Sequence, residues 1–431
     1  MRIAVVALGK IGLPLAVQFA RSGHTVVGAD INPDTVELVN QGREPFPGEA
    51  YLSDYLAEAA AAGLLSATTD TTSAVRDSEA VVIVVPLFVD ENGVPDFEWM
   101  DAATKAVGAG LQPGTLVSYE TTLPVGTTRH RFGPMLAEVS GMTPGADFSL
   151  VFSPERVFTG RVFADLRRYP KLVGGIDEAS TKAGIAFYEQ VLQFDPRDDL
   201  PQPNGVWDMG TAEAAEMAKL AETTYRDVNI ALANQFARYA DRTGIDIAKV
   251  IDACNSQPFS HIHRPGIAVG GHCIPIYPRM YLWNDPEATV VRAAREANAE
   301  MPGYAVALLV GLHGELTGQR VAVLGASYRG GVKETAFSGV FATVAALREA
   351  GAVVAVEDPM YSDDELRALG FEPYHLGEPV DAVIVQADHA GYRTLTSVEL
   401  PARTIVDGRR ILDAGLLPGV TVVAIGAGSA A

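Results

Sequence analysis

The sequence predicts an α/β protein in which two doubly wound, Rossmann-like lobes are joined by a central helical segment built on one long helix. Three observations predict it. Short β-branched runs recur between helix-length stretches toward both ends of the chain. The first of them, "RIAVVAL", runs straight into a glycine turn. A central stretch of more than thirty residues contains neither proline nor glycine. At 431 residues the chain is too long for one core when domains hold about 150 residues each. Three units are therefore expected, at residues 1–200, 201–300 and 301–431.

In the first unit, "RIAVVAL", "TVVGAD", "AVVIVVP", "GTLVSYETT", "FSLVFSPER" and "PKLVGGI" read as buried parallel strands separated by amphipathic segments. "TAEAAEMAKLAETTYRDVNIALANQFARYADRT" then reads as a single helix of good helix formers. "RVAVLGAS", "VVAVEDP", "DAVIVQADH", "RTIVDGRR" and "VTVVAIG" supply the strands of the last unit. Composition is that of a globular protein, 48% apolar and 20% charged, with no apolar run near the ~20 residues a membrane helix needs. The opening residues read as a core strand, not as a signal peptide, so a cytoplasmic protein is expected. A net charge of −20 argues against nucleic acid or an anionic membrane as partner. Two cysteines, Cys254 and Cys273, cannot make a disulfide framework, and no metal centre is expected.

Four places carry chemistry. In "ALGKIGLPLA", Gly9 would let the backbone approach a pyrophosphate and Gly12 would allow close packing of helix on strand. Ala7 stands where the first glycine of the motif belongs, a change that a negative φ would tolerate. Asp30 closes the second strand about twenty residues on, where a carboxylate binds a ribose 2′-hydroxyl and repels a 2′-phosphate. NAD is thereby favoured over NADP.

Cys273 lies among glycines and prolines in "PGIAVGGHCIPIYP", an irregular loop that can expose a thiol. Cys254, in helix-like "AKVIDACNS", reads as a small buried residue. Lys219 in "AAEMAKLAETT" either stabilises an oxyanion from the long helix or is an ordinary snorkelling lysine, and Thr223 follows one turn later on the same face. Glu155 and Arg156 in "FSPERVFTG" follow a strand at its carboxyl edge, either as a base and its neighbour or as an exposed pair.

Taken in order, "ALGKIGLPLA", "VVIVVP", "ETTLPVGTT", "SPER", "AEMAKLAETTYRDVNIALAN", "GGHCIP", "VAVLGASYRGGVKET" and "VDGRRILDAG" resemble the UDP-glucose/GDP-mannose dehydrogenase family, the nucleotide-sugar 6-dehydrogenases. The resemblance covers nearly the whole chain. It implies an NAD lobe, a central helix that forms a homodimer, a lobe that grips a nucleotide sugar, and a four-electron oxidation of the sugar's C6 hydroxyl to a carboxylate. By that resemblance Cys273 is the nucleophile of a thiohemiacetal and thioester, and Lys219 and Thr223 stabilise charge at C6. Thr122 matches a threonine associated with water and cofactor, and Glu155 the residue that serves thioester hydrolysis. Cofactor contacts fall on Gly9, Lys10, Ile11, Gly12, Asp30, Pro86, Thr121 and Thr122. Substrate contacts fall on Arg156 and Val157 beside Glu155, on Gly270, and on Tyr328, Arg329 and Arg409.

The chain also departs from the family pattern. Thr223 stands for an asparagine, Tyr277 for an aspartate four residues after the cysteine, and Ala336 for an arginine, which leaves Lys333 as a substitute near the cofactor. "SPER" and "RDVNIALAN" resemble the UDP-N-acetylhexosamine branch, while the changed loops leave UDP- and TDP-hexoses open. Two other readings remain: a single-step 3-hydroxyacid-type dehydrogenase and a nucleotide-sugar-binding protein without turnover.

Overall fold

A computed structural model describes residues 1–90 and 93–428. They divide into two compact units, Met1–Glu222 and the chain from Thr223 onward, and the division falls inside one helix, Ala212–Thr243. That 32-residue helix is the predicted one. It contains no residue that would break its ladder.

The first unit holds an eight-stranded sheet. Its strands are β1 (Arg2–Val6), β2 (Thr25–Ala29), β3 (Leu65–Thr68), β4 (Ala80–Ile83), β7 (Leu116–Tyr119), β8 (Ser149–Phe152), β9 (Lys171–Gly175) and β10 (Val206–Thr211). A small antiparallel pair, β5 (Phe88–Val89) and β6 (Pro95–Asp96), stands apart from it. The order is β10-β9-β8-β7-β4-β1-β2-β3. The chain therefore reverses direction across the sheet at β1 and β4, the crevice where doubly wound folds bind ligands. All six predicted strands form, and β3 and β10 extend the sheet at its two edges.

One expectation is corrected. β9 pairs antiparallel to β8, through Val151↔Gly175 and Phe152↔Gly174, whereas the sequence reading made all the strands parallel. The first residue of β9, Lys171, is thereby carried to the carboxyl edge of the parallel strands. A second correction concerns Ala7, whose φ is +74°, in the left-handed region and not negative. Ala7 N donates to Ala29 O at 2.8 Å, which holds the alanine in a conformation costing roughly 1 kcal/mol.

The second unit repeats the plan. Its strands are β11 (Arg320–Leu324), β12 (Val353–Glu357), β13 (Glu372–Pro373), β14 (Ala382–Val385), β15 (Thr404–Asp407) and β16 (Thr421–Ala424), all parallel in the order β13-β12-β11-β14-β15-β16. Alternate residues fill opposite faces. Val321, Val323 and Ile384 pack into one core, and Ala322, Leu324 and Val383 into another. Both faces are covered, as near-continuous apolar strands require. No helix among the described residues is long and apolar enough to cross a membrane.

Candidate active site

In the first unit, the turn after β1 is shaped around its glycines. A Cβ on Gly12 would stand 1.9 Å from Ala7 O, while a Cβ on Gly9 would meet nothing within 4 Å. Gly12 thus seats the helix Gly12–Arg21 on the strand, and Gly9 leaves open space beside the turn. That helix has no side-chain N-cap at Ile11, and Gly9 and Lys10 are exposed, so its N-terminal end is suited to a phosphate. Asp30, just past β2, accepts from Leu8 N at 2.8 Å and from Asn32 N at 2.9 Å. Pro86 is exposed beyond β4, and Thr121 Oγ1 donates to Val85 O at 2.7 Å, tying the end of β7 to the same edge as β4. Thr122 is buried beside it. An open glycine, an uncapped helix and a carboxylate just past the second strand fit an adenine dinucleotide. Asp30→Asn should weaken NAD about tenfold and narrow its advantage over NADP. Paired cofactor titrations check this, and an unchanged preference moves the ribose contact elsewhere.

Glu155 is not an exposed partner of Arg156. Its Oε2 accepts from Lys171 Nζ at 2.9 Å and its Oε1 from Arg156 N at 2.8 Å, while Arg156 reaches Glu222 on the long helix at 3.1 Å. Val157 packs at the edge of the first core. Lys171 is 4% exposed and also donates to Glu120 Oε2 at 2.7 Å, where the carboxylate is wholly buried. Burial pushes the Glu120 carboxyl up to about 7, with the Lys171 ammonium opposing it. Burial also acts to raise Glu155, but Lys171 and the Arg156 amide outweigh it and hold that carboxyl below its ordinary value. Sequence reasoning missed Glu120 and Lys171. The available signal was a charged residue at the mouth of an apolar strand run, in "SYETT" and in "YPKLVGG".

The long helix is amphipathic in an unusual sense. Its buried face is partly polar: Glu216, Lys219, Thr223, Asp227, Asn234 and Asp241 recur at helical spacing and are all buried, among apolar residues such as Ala215, Leu220, Ala233 and Ala237. Lys219 is 8% exposed, which removes the snorkelling reading. Glu216 accepts from Gly126 N, Thr128 N and Thr128 Oγ1 at 2.5 to 2.9 Å, anchoring the lysine-bearing turn to the segment that follows Thr122. Burial raises its carboxyl to about 7 against those three donors.

In the second unit the cysteine loop is braced by glycines. Gly271 N donates to Ala336 O at 2.9 Å. A Cβ on Gly270 would stand 2.5 Å from Tyr328 Cβ, and one on Gly271 would press on the Tyr328 ring at 3.1 Å. Cys273 follows, exposed and free, and its carbonyl accepts from Tyr277 N at 2.9 Å at the start of the helix Tyr277–Asn284. Cys254 is half-buried at the end of the helix Ile247–Cys254, so the fully buried reading is corrected. Tyr328 and Arg329 follow β11 at the reversal point of the second sheet, and Arg409 follows β15. Arg409 donates from Nε to Gln386 O at 2.8 Å and from Nη2 to Tyr328 O at 3.3 Å. A Cβ on Gly266 would meet Arg409 Nη1 at 2.8 Å. Cysteine loop, tyrosine loop and arginine thus form one packed group. Lys333 pairs with Glu365 at 2.5 Å and lies over the Tyr361 ring, in this second unit. Ala336 contributes its carbonyl to the cysteine loop.

Two doubly wound sheets, the first with an open glycine turn and a carboxylate after β2, the second with a braced, exposed thiol, define an NAD-dependent oxidoreductase. Three family models describe its parts: the NAD binding domain of the UDP-glucose/GDP-mannose dehydrogenase family over residues 1–192, its central domain over 213–300 and its UDP binding domain over 322–414. The chain belongs to that family. It is 33% identical over 423 residues to the UDP-N-acetyl-D-mannosamine dehydrogenase of Pyrococcus horikoshii, with 96% of each chain covered. It is 30% identical to the NDP-N-acetyl-D-galactosaminuronic acid dehydrogenase of Ralstonia nicotianae, over 94% of this chain and 95% of the other. The solved structure of the UDP-D-ManNAc dehydrogenase from Pyrococcus horikoshii superposes with a TM-score of 0.87 at 32% identity, covering 100% of both chains.

Proposed function

We propose that this chain oxidises the C6 hydroxyl of a UDP-N-acetylhexosamine to the carboxylate. The observation that carries the reading is the seating of the Cys273 loop on Tyr328 through Gly270 and Gly271, with Arg409 bonded to the same tyrosine's carbonyl. A nucleophile is thereby fixed to residues suited to hold a nucleotide sugar. The "SPER" and "RDVNIALAN" segments and the named substrates of the relatives support an N-acetylated hexose.

Asp30, Gly9 and the helix behind Gly12 would hold NAD, assisted by Lys10, Ile11, Pro86 and Thr121. The cofactor, when bound, accepts the hydrides that leave C6. Lys219 neutralises the oxygen charge that develops at C6, in surroundings where such charge is worth most, and Thr223 adds a hydroxyl donor one turn on. Cys273, as thiolate, adds to the aldehyde carbon. Glu155 takes a proton from the water that releases the acid, and Thr122 orients water at the cofactor side. Arg156, Val157, Gly270, Tyr328, Arg329 and Arg409 bind the substrate, the arginines meeting phosphate. Lys333 serves the cofactor only if its pair with Glu365 opens.

The central segment, residues 201–300, mediates a homodimer in this reading. Tyr225, Leu232, Phe236 and Tyr239 recur along the long helix and are all well exposed, and such an apolar stripe suits a second copy. The protein acts in the cytoplasm, where its two free cysteines stay reduced, and its uronic acid product suits polysaccharide or glycoside assembly. NADH counted per sugar across UDP-, TDP- and GDP-sugars tests the reading. Two per UDP-N-acetylhexosamine is expected. One per sugar favours the single-step dehydrogenase, and saturable binding with no NADH favours a binding protein.

A further inference from the structure

Three strands bring charge to one point. Glu120 follows β7, Glu155 lies just past β8, and Lys171 opens β9, which reaches the same edge only because it runs antiparallel to β8. Lys171 Nζ bridges the two carboxylates at 2.7 and 2.9 Å, and the three side chains are 4%, 0% and 11% exposed for Lys171, Glu120 and Glu155. The remaining Glu120 oxygen accepts from Tyr188 OH at 2.7 Å, and the Tyr188 OH lies 2.7 Å from Ser118 Oγ. The Tyr188 ring also sits 4.8 Å from the ammonium. Among the described residues, the titratable groups that contact the lysine are Glu120, Glu155 and Tyr188. Two carboxylates sharing one buried cation leave the cluster one negative charge in excess, and low-dielectric surroundings favour taking up one proton. Burial raises Tyr188 well above its usual range, so it stays a donor to Glu120.

We infer that Lys171 is a positioning residue that keeps Glu155 ionised for water activation, and that Glu120 stores the proton Glu155 removes. This rests on the thioester reading above. In the hydrolytic step a water O–H bond breaks, its oxygen bonds to C6, the C6–S bond breaks and Cys273 leaves as thiolate. The water's proton goes to Glu155. Lys171 then passes a proton to Glu120 Oε2 while taking one from Glu155 Oε2, so the lysine ends as it began and the cluster moves from net −1 to neutral. The acid product's second proton leaves with solvent, and Glu120 empties by the reverse path after release. Of the two carboxyls, Glu120 is the one whose environment raises it toward neutrality.

Lys171→Met removes the cation and should move the acidic limb of the acid-forming step up by about one to three pH units. Lys171→Arg should restore the limb while KM for the sugar stays as in the wild type. Glu120→Gln leaves one cation against one carboxylate and should fold readily. It should give a normal NADH burst of two per cysteine, then turnover slowed at least about tenfold. Carboxyl titration by carbon NMR, without substrate, reads the same coupling: Glu155 should titrate higher in Lys171→Met. A Glu155 titration unmoved in Lys171→Met, or a Glu120→Gln enzyme with full hydrolytic rate, overturns the inference. Failure of the thioester reading shows separately, as a wild type releasing fewer than two NADH per sugar.

Discussion

Cys273→Ala should leave NAD affinity close to that of the wild type and lower acid formation by roughly 10³-fold or more, the scale on which removing a nucleophile acts. The sulfur stands exposed at the end of a loop whose preceding glycines could not carry a side chain without striking Tyr328. Alanine at 273 removes the thiol without disturbing that seat, so melting should change little. Asp30, proposed above to hold the cofactor, lies in the other compact unit, which separates the two readouts. Aldehyde accumulation with one NADH per sugar places the cysteine at the second oxidation. Undiminished acid production removes it from the mechanism.

The sequence made the fold legible wherever a single physical signal decided the element. β-Branched runs flanked by glycine marked the strands of both lobes, and the absence of breakers marked the long helix. Strand direction was not legible. Periodicity tells that residues 171–175 form a strand but not which way it points, and so it hid Lys171. The two carboxylates that meet it lie 51 and 16 residues away in sequence, and nothing local joins them. Short, half-polar β3 and the edge strand β10 escaped because neither is buried on both faces. The exposure of Cys273 was readable because the glycines and prolines around it are a local sign of an irregular loop. The left-handed φ of Ala7 was not, because alanine gives no local sign of a positive φ.

Gly12→Ala should cost about 2–3 kcal/mol of stability and weaken NAD at least about tenfold. The added methyl would lie 1.9 Å from Ala7 O and 3.1 Å from Ala7 C, backbone atoms on one side, with Val84 Cβ at 3.6 Å on another. None of these can rotate away. Ala7 is itself held at φ +74° by its bond to Ala29 O, so relieving the clash means lifting the helix Gly12–Arg21 off β1. Eight of its ten residues are buried, Leu13, Leu15 and Phe19 among them, and displacement opens voids throughout that face. The helix's first turn would move with it, and the backbone amides proposed to meet the pyrophosphate would lose their aim. Thermal unfolding and an NAD titration read the two effects together. Gly9→Ala is the control, because a Cβ there meets nothing within 4 Å in the protein. Its stability should hold while cofactor affinity falls. Equal stability losses in both variants would show that the turn is governed by glycine content alone and not by the contact of Gly12 with Ala7.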